Sequence, residues 1–285
     1  MSRIAYVSGR FVPQREAVVP IEDRGYQFAD GVYEVAAVHR GRLIDLRPHL
    51  DRLARSLREL DIVAPVTERV LIHILERIVR LNRIAEGSVY LQITRGVAPR
   101  DHAFPTRARP QLVVTAKRSR RPDPAVWETG IRVITIPEQR WARRDVKSVS
   151  LLPNVLGKQR AREAGAYEAW QVDPDGTVTE GTSSNAWIVN RDGELVTPPP
   201  SPRILNGVTR LVLLGLARRA GLTVVERHFS LAEALEAREA LLSSTTSMVL
   251  PVTQIDDRVI ANGRPGEIAT TLRDLLAAHF DAPRA

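Results

Sequence analysis

The amino-acid sequence predicts an α+β protein of two domains, and three observations carry that reading. Short β-rich runs and amphipathic helical runs occur in both halves of the chain. No regular βαβα alternation connects them and no G-x-G-x-x-G follows a strand, which argues against a doubly wound nucleotide-binding fold. At 285 residues the chain is long enough for two cores, and the aperiodic, proline-bearing run KRSRRPDPAVWE at 117–128 reads as a linker between them. The expected domains are 1–118, the smaller, and 119–285, the larger.

The elements follow in order. IAYVSGRFV and DGVYEVAAVHRGRLIDL set β-formers between glycine breaks, as antiparallel strands and turns do. Leu46, Leu50, Leu53, Leu57 and Leu60 then recur three and four apart, with Pro48 in an early turn, so a helix is expected. Val70, Leu71, Ile74, Leu75, Ile78 and Leu81 mark a second helix. SVYLQITRG alternates Val89, Leu91 and Ile93 with polar neighbours, and QLVVTA adds a strand. In the second half IRVITI is a strand, NVLGKQRAREAG a helix stopped by Gly165, and YEAWQV, TVTEG, NAWIVN and GELVTP are strands. Helices follow at 208–220, with Gly221 as the stop, at 230–237, where Ser230 and Glu233 are spaced as a capping box, and at the C-terminus.

Composition narrows the function. Hydrophobic residues at 44% and charged residues at 26% match ordinary globular proteins and exclude disordered and fibrous classes. The start MSRIAYVSGRFVPQ has no continuous apolar core, so no export signal is expected. Runs such as LVLLGLA fall far short of the ~20 apolar residues of a spanning helix, so no membrane partner is expected. Cysteine is absent, which excludes disulfides, thiolate nucleophiles and cysteine-ligated metals and fits a cytoplasmic protein. The charge of +8 raises the question of nucleic acid. Yet arginines are spread among acidic residues, aromatics are only 5%, and the dense basic run is KRSRR at 117–121, so no nucleic-acid partner is expected.

Of 41 basic residues only Lys117, Lys147 and Lys158 are lysine. A guanidinium stays protonated, whereas a lysine amine can lose its proton and attack a carbonyl, so each retained lysine is a candidate for chemistry that arginine cannot perform. Codon bias explains the same count.

Lys147 lies between a predicted strand and a predicted helix, a place where loops present functional groups; taken locally it reads as a surface lysine. Glu180 ends a β-like run in TVTEGTSSN, where a carboxylate could keep a pyridine nitrogen protonated and hydroxyls could serve a cofactor; the same residues also favour an ordinary turn. Gly207, Val208 and Thr209 open a helix whose first N–H groups could hold a phosphate. Arg52 could add a bidentate phosphate contact and Thr245 a hydroxyl, although each alone reads as structural. Arg100 and His102, in the loop TRGVAPRDHAFP, could grip a carboxylate or simply be solvated.

Together, EDRGYQFADGVYEV, HLDRLARS, QITRGVAPRDHAFP, DVKSVSLLPNVLGKQ, TVTEGTSSN, ILNGVTR and SSTTS resemble the D-amino-acid aminotransferases in order and spacing, over nearly the whole chain. The resemblance implies the two-domain architecture of the fold-type IV pyridoxal-phosphate enzymes and pyridoxal 5′-phosphate as cofactor. It implies that Lys147 bonds the cofactor and moves the substrate's α-proton, and that Glu180 contacts the pyridine nitrogen. Arg52, Val208, Thr209 and Thr245 are then the phosphate set, and Leu205 packs against the ring. Tyr33, Arg100 and His102 match the family's carboxylate-binding set, the last two reaching in from a partner subunit, which implies a homodimer acting on small amino acids and 2-oxo acids. Branched-chain aminotransferases, aminodeoxychorismate lyases and (R)-amine transaminases share the lysine and glutamate but bind the substrate's other groups through different loops, so with the R-x-H pair the resemblance implies D-amino acids such as D-alanine as donors. Branched-chain and (R)-amine transamination, and a non-catalytic basic binding protein, are the rival readings. Met248, where an acidic residue is common, and Thr182, where serine is common, depart from the family pattern.

Overall fold

The structure, a computed structural model, describes residues 3–119 and 124–282. The chain forms two compact units: Met1–Arg120 with Val146–Ser150, and Arg121–Asp145 with Leu151–Ala285. None of the helices among the described residues is long and apolar enough to cross a membrane.

The first unit contains β1 (Ile4–Val7), β2 (Arg10–Pro13), α1 (Arg24–Phe28), β3 (Gly31–His39), β4 (Arg42–Leu43), α2 (Leu46–Glu59), α3 (Glu68–Leu81), β5 (Gly87–Thr94) and β6 (Gln111–Arg118). The strands form one sheet in the order β2-β1-β6-β5-β3-β4, and every pairing is antiparallel. Ser8 and Gly9 both take positive φ, 39° and 104°, which suits the tight β1–β2 turn. Leu50, Leu53 and Leu57 of α2 and Leu71, Leu75 and Ile78 of α3 pack with Val38, Val89, Leu91, Ile93 and Val114 of the sheet in one apolar core. Val70 and Leu81, expected on the apolar face of α3, are instead largely exposed.

The second unit contains α4 (Pro124–Thr129), β7 (Ile131–Pro137), α5 (Leu152–Glu163), β8 (Glu168–Val172), β9 (Val178–Gly181), β10 (Asn185–Val189), β11 (Leu195–Thr197) and α6 (Val208–Arg219). It continues with β12 (Val224–Glu226), α7 (Leu231–Leu235), β13 (Glu239–Ser244), β14 (Met248–Ile255), β15 (Arg258–Val259) and α8 (Glu267–Asp281). Its sheet runs β12-β11-β10-β13-β14-β7-β8-β9, with β15 on β14. Strand β9 ends this path, yet only Thr182–Ser184 separate it in sequence from β10, five strands away. Five flat strand spacings of about 4.8 Å exceed the roughly 15 Å that four Cα–Cα steps can reach, so the sheet must curl to bring β9 back toward β10. That curl places Glu180 beside Asn185, with Asn185 Nδ2 donating to Glu180 Oε2 at 3.0 Å.

Three expectations change. The run 117–128 is not an aperiodic linker: Lys117 and Arg118 finish β6, residues 124–129 form α4, and residues 120–123 of the expected linker lie outside the described residues. The helix expected at 230–237 starts at its Ser230 cap but ends early, as α7, at Leu235, and only half of the capping box forms. Ser230 Oγ accepts from Glu233 N at 3.1 Å, but the Glu233 carboxylate pairs with Arg227. Lastly, Lys147 belongs to the first unit and not to the expected 119–285 domain. The cause is strand pairing: β4 covers only the Val38–His39 end of β3, and residues 147–149 take the opposite end. Tyr33 N donates to Lys147 O, and Val149 N to Gly31 O, both at 3.0 Å.

Candidate active site

In the first unit, adjacent residues of β3 point to opposite faces of the sheet and serve different purposes. Glu34 faces α2, where His49, Arg52 and Ser56 recur three and four residues apart and so share one side of the helix. Arg52 grips Glu34 bidentately, Nε to Oε1 at 2.7 Å and Nη2 to Oε2 at 2.8 Å, and His49 Nδ1 lies 2.8 Å from Oε2. Burial would raise the Glu34 carboxyl, but the charge and hydrogen bonds of Arg52, with those of His49, overcome it and hold the pKa at about 2. One turn further, Ser56 Oγ accepts from Lys147 N at 3.3 Å, so the same helix face fixes both Arg52 and the backbone of Lys147.

Tyr33 takes the other face. Lys147 Nζ lies 4.2 Å from the centre of its ring, and the Tyr90 ring lies 5.7 Å away. Tyr90 donates to Gln92 Oε1 at 2.6 Å, and burial together with neighbouring Tyr33 pushes its hydroxyl up to about 12. The other two lysines are placed differently. Lys117 is exposed, and Lys158 donates to Tyr167 O and lies 3.7 Å from Glu168.

In the second unit, Glu180 is buried at the end of β9. Its carboxylate accepts from Leu205 N at 3.0 Å, from Asn185 Nδ2 and from the Arg140 guanidinium. Burial pushes this carboxyl up, and Arg140 and Leu205 N oppose that. Asn185 also donates to Leu205 O at 2.9 Å. A Cβ on Gly207, the N-cap of α6, would lie 2.1 Å from Asn185 Oδ1, so glycine is required there for close approach. No side chain caps α6, whose first residues Val208 and Thr209 are buried. Asn185 pairs with Ser243, so the Ser244–Met248 turn that carries half-buried Thr245 lies at the same end of the sheet.

The hydroxyls of TVTEGTSSN have a structural purpose. Thr182, Ser183 and Ser184 all donate to the buried Glu168 carboxylate, at 2.9 Å for Ser183 and 3.3 Å for Ser184. They satisfy a buried anion that would otherwise be costly.

Arg100 and His102 are exposed in the loop after β5 and gather at Phe28: the Arg100 guanidinium is 5.0 Å from that ring and the His102 ring 5.3 Å. Arg24 anchors the loop, donating to Asp101 O at 2.6 Å and His102 O at 3.3 Å. Sequence reasoning missed Arg140, Glu34, His49 and Asn185 as supports. Asn185 stood inside a motif already singled out, whereas the other three meet their partners only through the fold.

In the first unit a lysine amine suits an aldehyde; in the second, a buried carboxylate tied to a guanidinium suits a protonated ring nitrogen, and an uncapped helix N-terminus with a nearby hydroxyl turn suits a phosphate. Each of these groups is of the kind that an enzyme of amine–carbonyl chemistry uses. Residues 31–255 match the family model described as Amino-transferase class IV, and the chain belongs to that family. It is 40% identical to the D-alanine aminotransferase of Bacillus licheniformis over 269 residues, 94% of each chain. It is 41% identical to the D-alanine aminotransferase of Listeria monocytogenes serotype 4b, covering 93% of this chain and 92% of that one. Among solved structures, the branched-chain amino acid aminotransferase of T.th. with pyridoxamine 5′-phosphate superposes with a TM-score of 0.91 at 25% identity, covering 99% of this chain and 95% of that one.

Proposed function

We propose that this enzyme transfers the amino group of a D-amino acid such as D-alanine to a 2-oxo acid such as 2-oxoglutarate, as a cytoplasmic homodimer that uses pyridoxal 5′-phosphate. The observation that carries the reading is the Lys147 amine held over Tyr33 in a chain 40% identical to a D-alanine aminotransferase along nearly its whole length. The cofactor supplies the electron sink for amino transfer. Lys147 would hold its aldehyde carbon in the resting enzyme, and Nζ, free once the donor amine has replaced it there, would take the proton from the donor's α-carbon. Glu180 would hold the ring nitrogen in its protonated form. Arg52, Val208, Thr209 and Thr245 would bind the phosphate, and Leu205 would pack on the ring. Tyr33 receives the substrate carboxylate together with Arg100 and His102 of a second copy.

The surface around the Arg100–His102 loop supports the dimer. Val18, Ile21 and Tyr26 are 76%, 81% and 79% exposed, and Phe104, just after His102 in sequence, is exposed as well. Apolar side chains this open are suited to cover by another protein surface. The cytoplasmic placement rests on the cysteine-free composition.

Arg100→Ala is expected to lower kcat/KM for amino acids by roughly tenfold to a hundredfold, the range for losing one charge-assisted contact, and to leave carboxylate-free amines unchanged. Equal losses for both donor classes contradict the clamp. The test of the reaction itself is the absorption spectrum of the protein with pyridoxal phosphate, followed as D-alanine, L-leucine or (R)-1-phenylethylamine is added without an acceptor. Fastest conversion with D-alanine supports the reading. Fastest conversion with either of the others retains the cofactor chemistry and overturns the donor.

A further inference from the structure

Arg140 lies between two buried carboxylates that are far apart in sequence. Its Nη1 donates to Glu180. On the other side its Nε donates to Glu138 Oε1 at 3.0 Å, its Nη2 to Glu138 Oε2 at 2.6 Å, and its backbone N to Glu138 Oε1 at 2.9 Å. All three side chains are almost completely buried, at 8% exposure for Arg140, 0% for Glu138 and 5% for Glu180. Arg144 lies 3.6 Å from Glu138 and also pairs with Asp173, so Glu138 is neutralised from a second side, while Arg140 is the guanidinium hydrogen-bonded to Glu180.

We propose that Arg140 is a positioning residue for the reaction, bridging Glu138 and Glu180 so that Glu180 stays an ionised carboxylate available to the cofactor's ring nitrogen. The inference rests on the pyridoxal-phosphate reading above and adds the residue on which Glu180 depends. Two buried carboxylates without a cation between them cannot both remain charged, so one takes up a proton. Glu138 keeps Arg144, whereas the further cation near Glu180, Arg210, is hydrogen-bonded to Glu226 and Pro198 O, which leaves Glu180 as the group that protonates. Burial already pushes Glu180 in that direction. A neutral carboxylic acid there can no longer stabilise a protonated pyridine nitrogen. The neutral donors Leu205 N and Asn185 Nδ2 fix where Glu180 points, but they bring no compensating charge.

The test is a double-mutant cycle of Arg140→Met and Glu180→Gln, read by the dissociation constant of pyridoxal phosphate and by single-turnover kinetics with D-alanine. Arg140→Met is expected to weaken cofactor binding and to lower kcat, each by about tenfold to a hundredfold, as loss of a group that orients a bonded ligand does, with KM for D-alanine changed by less than about threefold. Added to Glu180→Gln, it is expected to cause almost no further loss. Should Arg140→Met fail to fold, the Glu138→Gln/Arg140→Met pair removes one anion with the cation and enters the same cycle. Losses that add in full to those of Glu180→Gln, or a folded Arg140→Met protein with parental cofactor affinity and kcat, overturn the proposal. Failure of the parental protein to take up pyridoxal phosphate overturns the cofactor reading instead.

Discussion

Lys147→Ala is expected to abolish transamination, with a loss of at least roughly ten-thousandfold, because the proposed mechanism assigns to one amine both the holding of the cofactor and the movement of the α-proton. The fold is expected to survive. The side chain is only half-buried, and the segment is held through backbone atoms: Lys147 O accepts from Tyr33 N and Lys147 N donates to Ser56 Oγ. Neither bond involves Nζ. Circular dichroism and thermal unfolding should match those of the parent, while the visible band of bound cofactor is lost and D-alanine turnover falls to background. Transamination above about one per cent of the parent's rate in a folded Lys147→Ala protein removes the central assignment.

The candidate site was legible in the sequence where a residue type carries chemistry by itself, and hidden where its chemistry depends on a distant partner. Lys147 stood out because arginine is the usual cation of this chain, and the structure puts its amine on Tyr33. Leu205 enters the site through its backbone, its N–H bonded to Glu180, a contact that no local pattern announces. The Glu34–Arg52 and Arg140–Glu180 pairs span 18 and 40 residues, and no local period links their members. The same limit explains the misplaced lysine. The chain returns to the first unit for five residues, Val146–Ser150, because one end of β3 has an edge to cover. An edge exists only once the sheet does. The helices, by contrast, were readable from Leu50, Leu53 and Leu57, whose spacing maps directly onto burial in the core. Met248 sits buried at a φ of 59°, and nothing in the structure explains why methionine occupies that left-handed position.

Glu34→Ala is expected to be the most destabilising of these single substitutions, costing about 3 to 5 kcal/mol, because it removes the buried carboxylate that Arg52 grips bidentately and His49 contacts. Glu34→Gln should cost less, since one amide oxygen still accepts from Arg52. The pH dependence follows from the same carboxylate. Its folded pKa of about 2 lies below the unfolded value near 4.5, so its contribution is complete above the unfolded value and is lost as pH falls toward 2. Over that window the parent loses about 3 kcal/mol through this group, whereas Glu34→Ala has no such term and its stability curve is flatter there. Urea unfolding of both proteins between pH 5 and the lowest pH at which the parent remains folded measures the difference. A constant gap between the two curves, or a gap at neutral pH below about 1 kcal/mol, shows that Glu34 is not the charged centre of the α2–β3 contact. A flatter Glu34→Ala curve that approaches the parent's in acid identifies the anion that holds Arg52 in place, as its proposed phosphate contact requires.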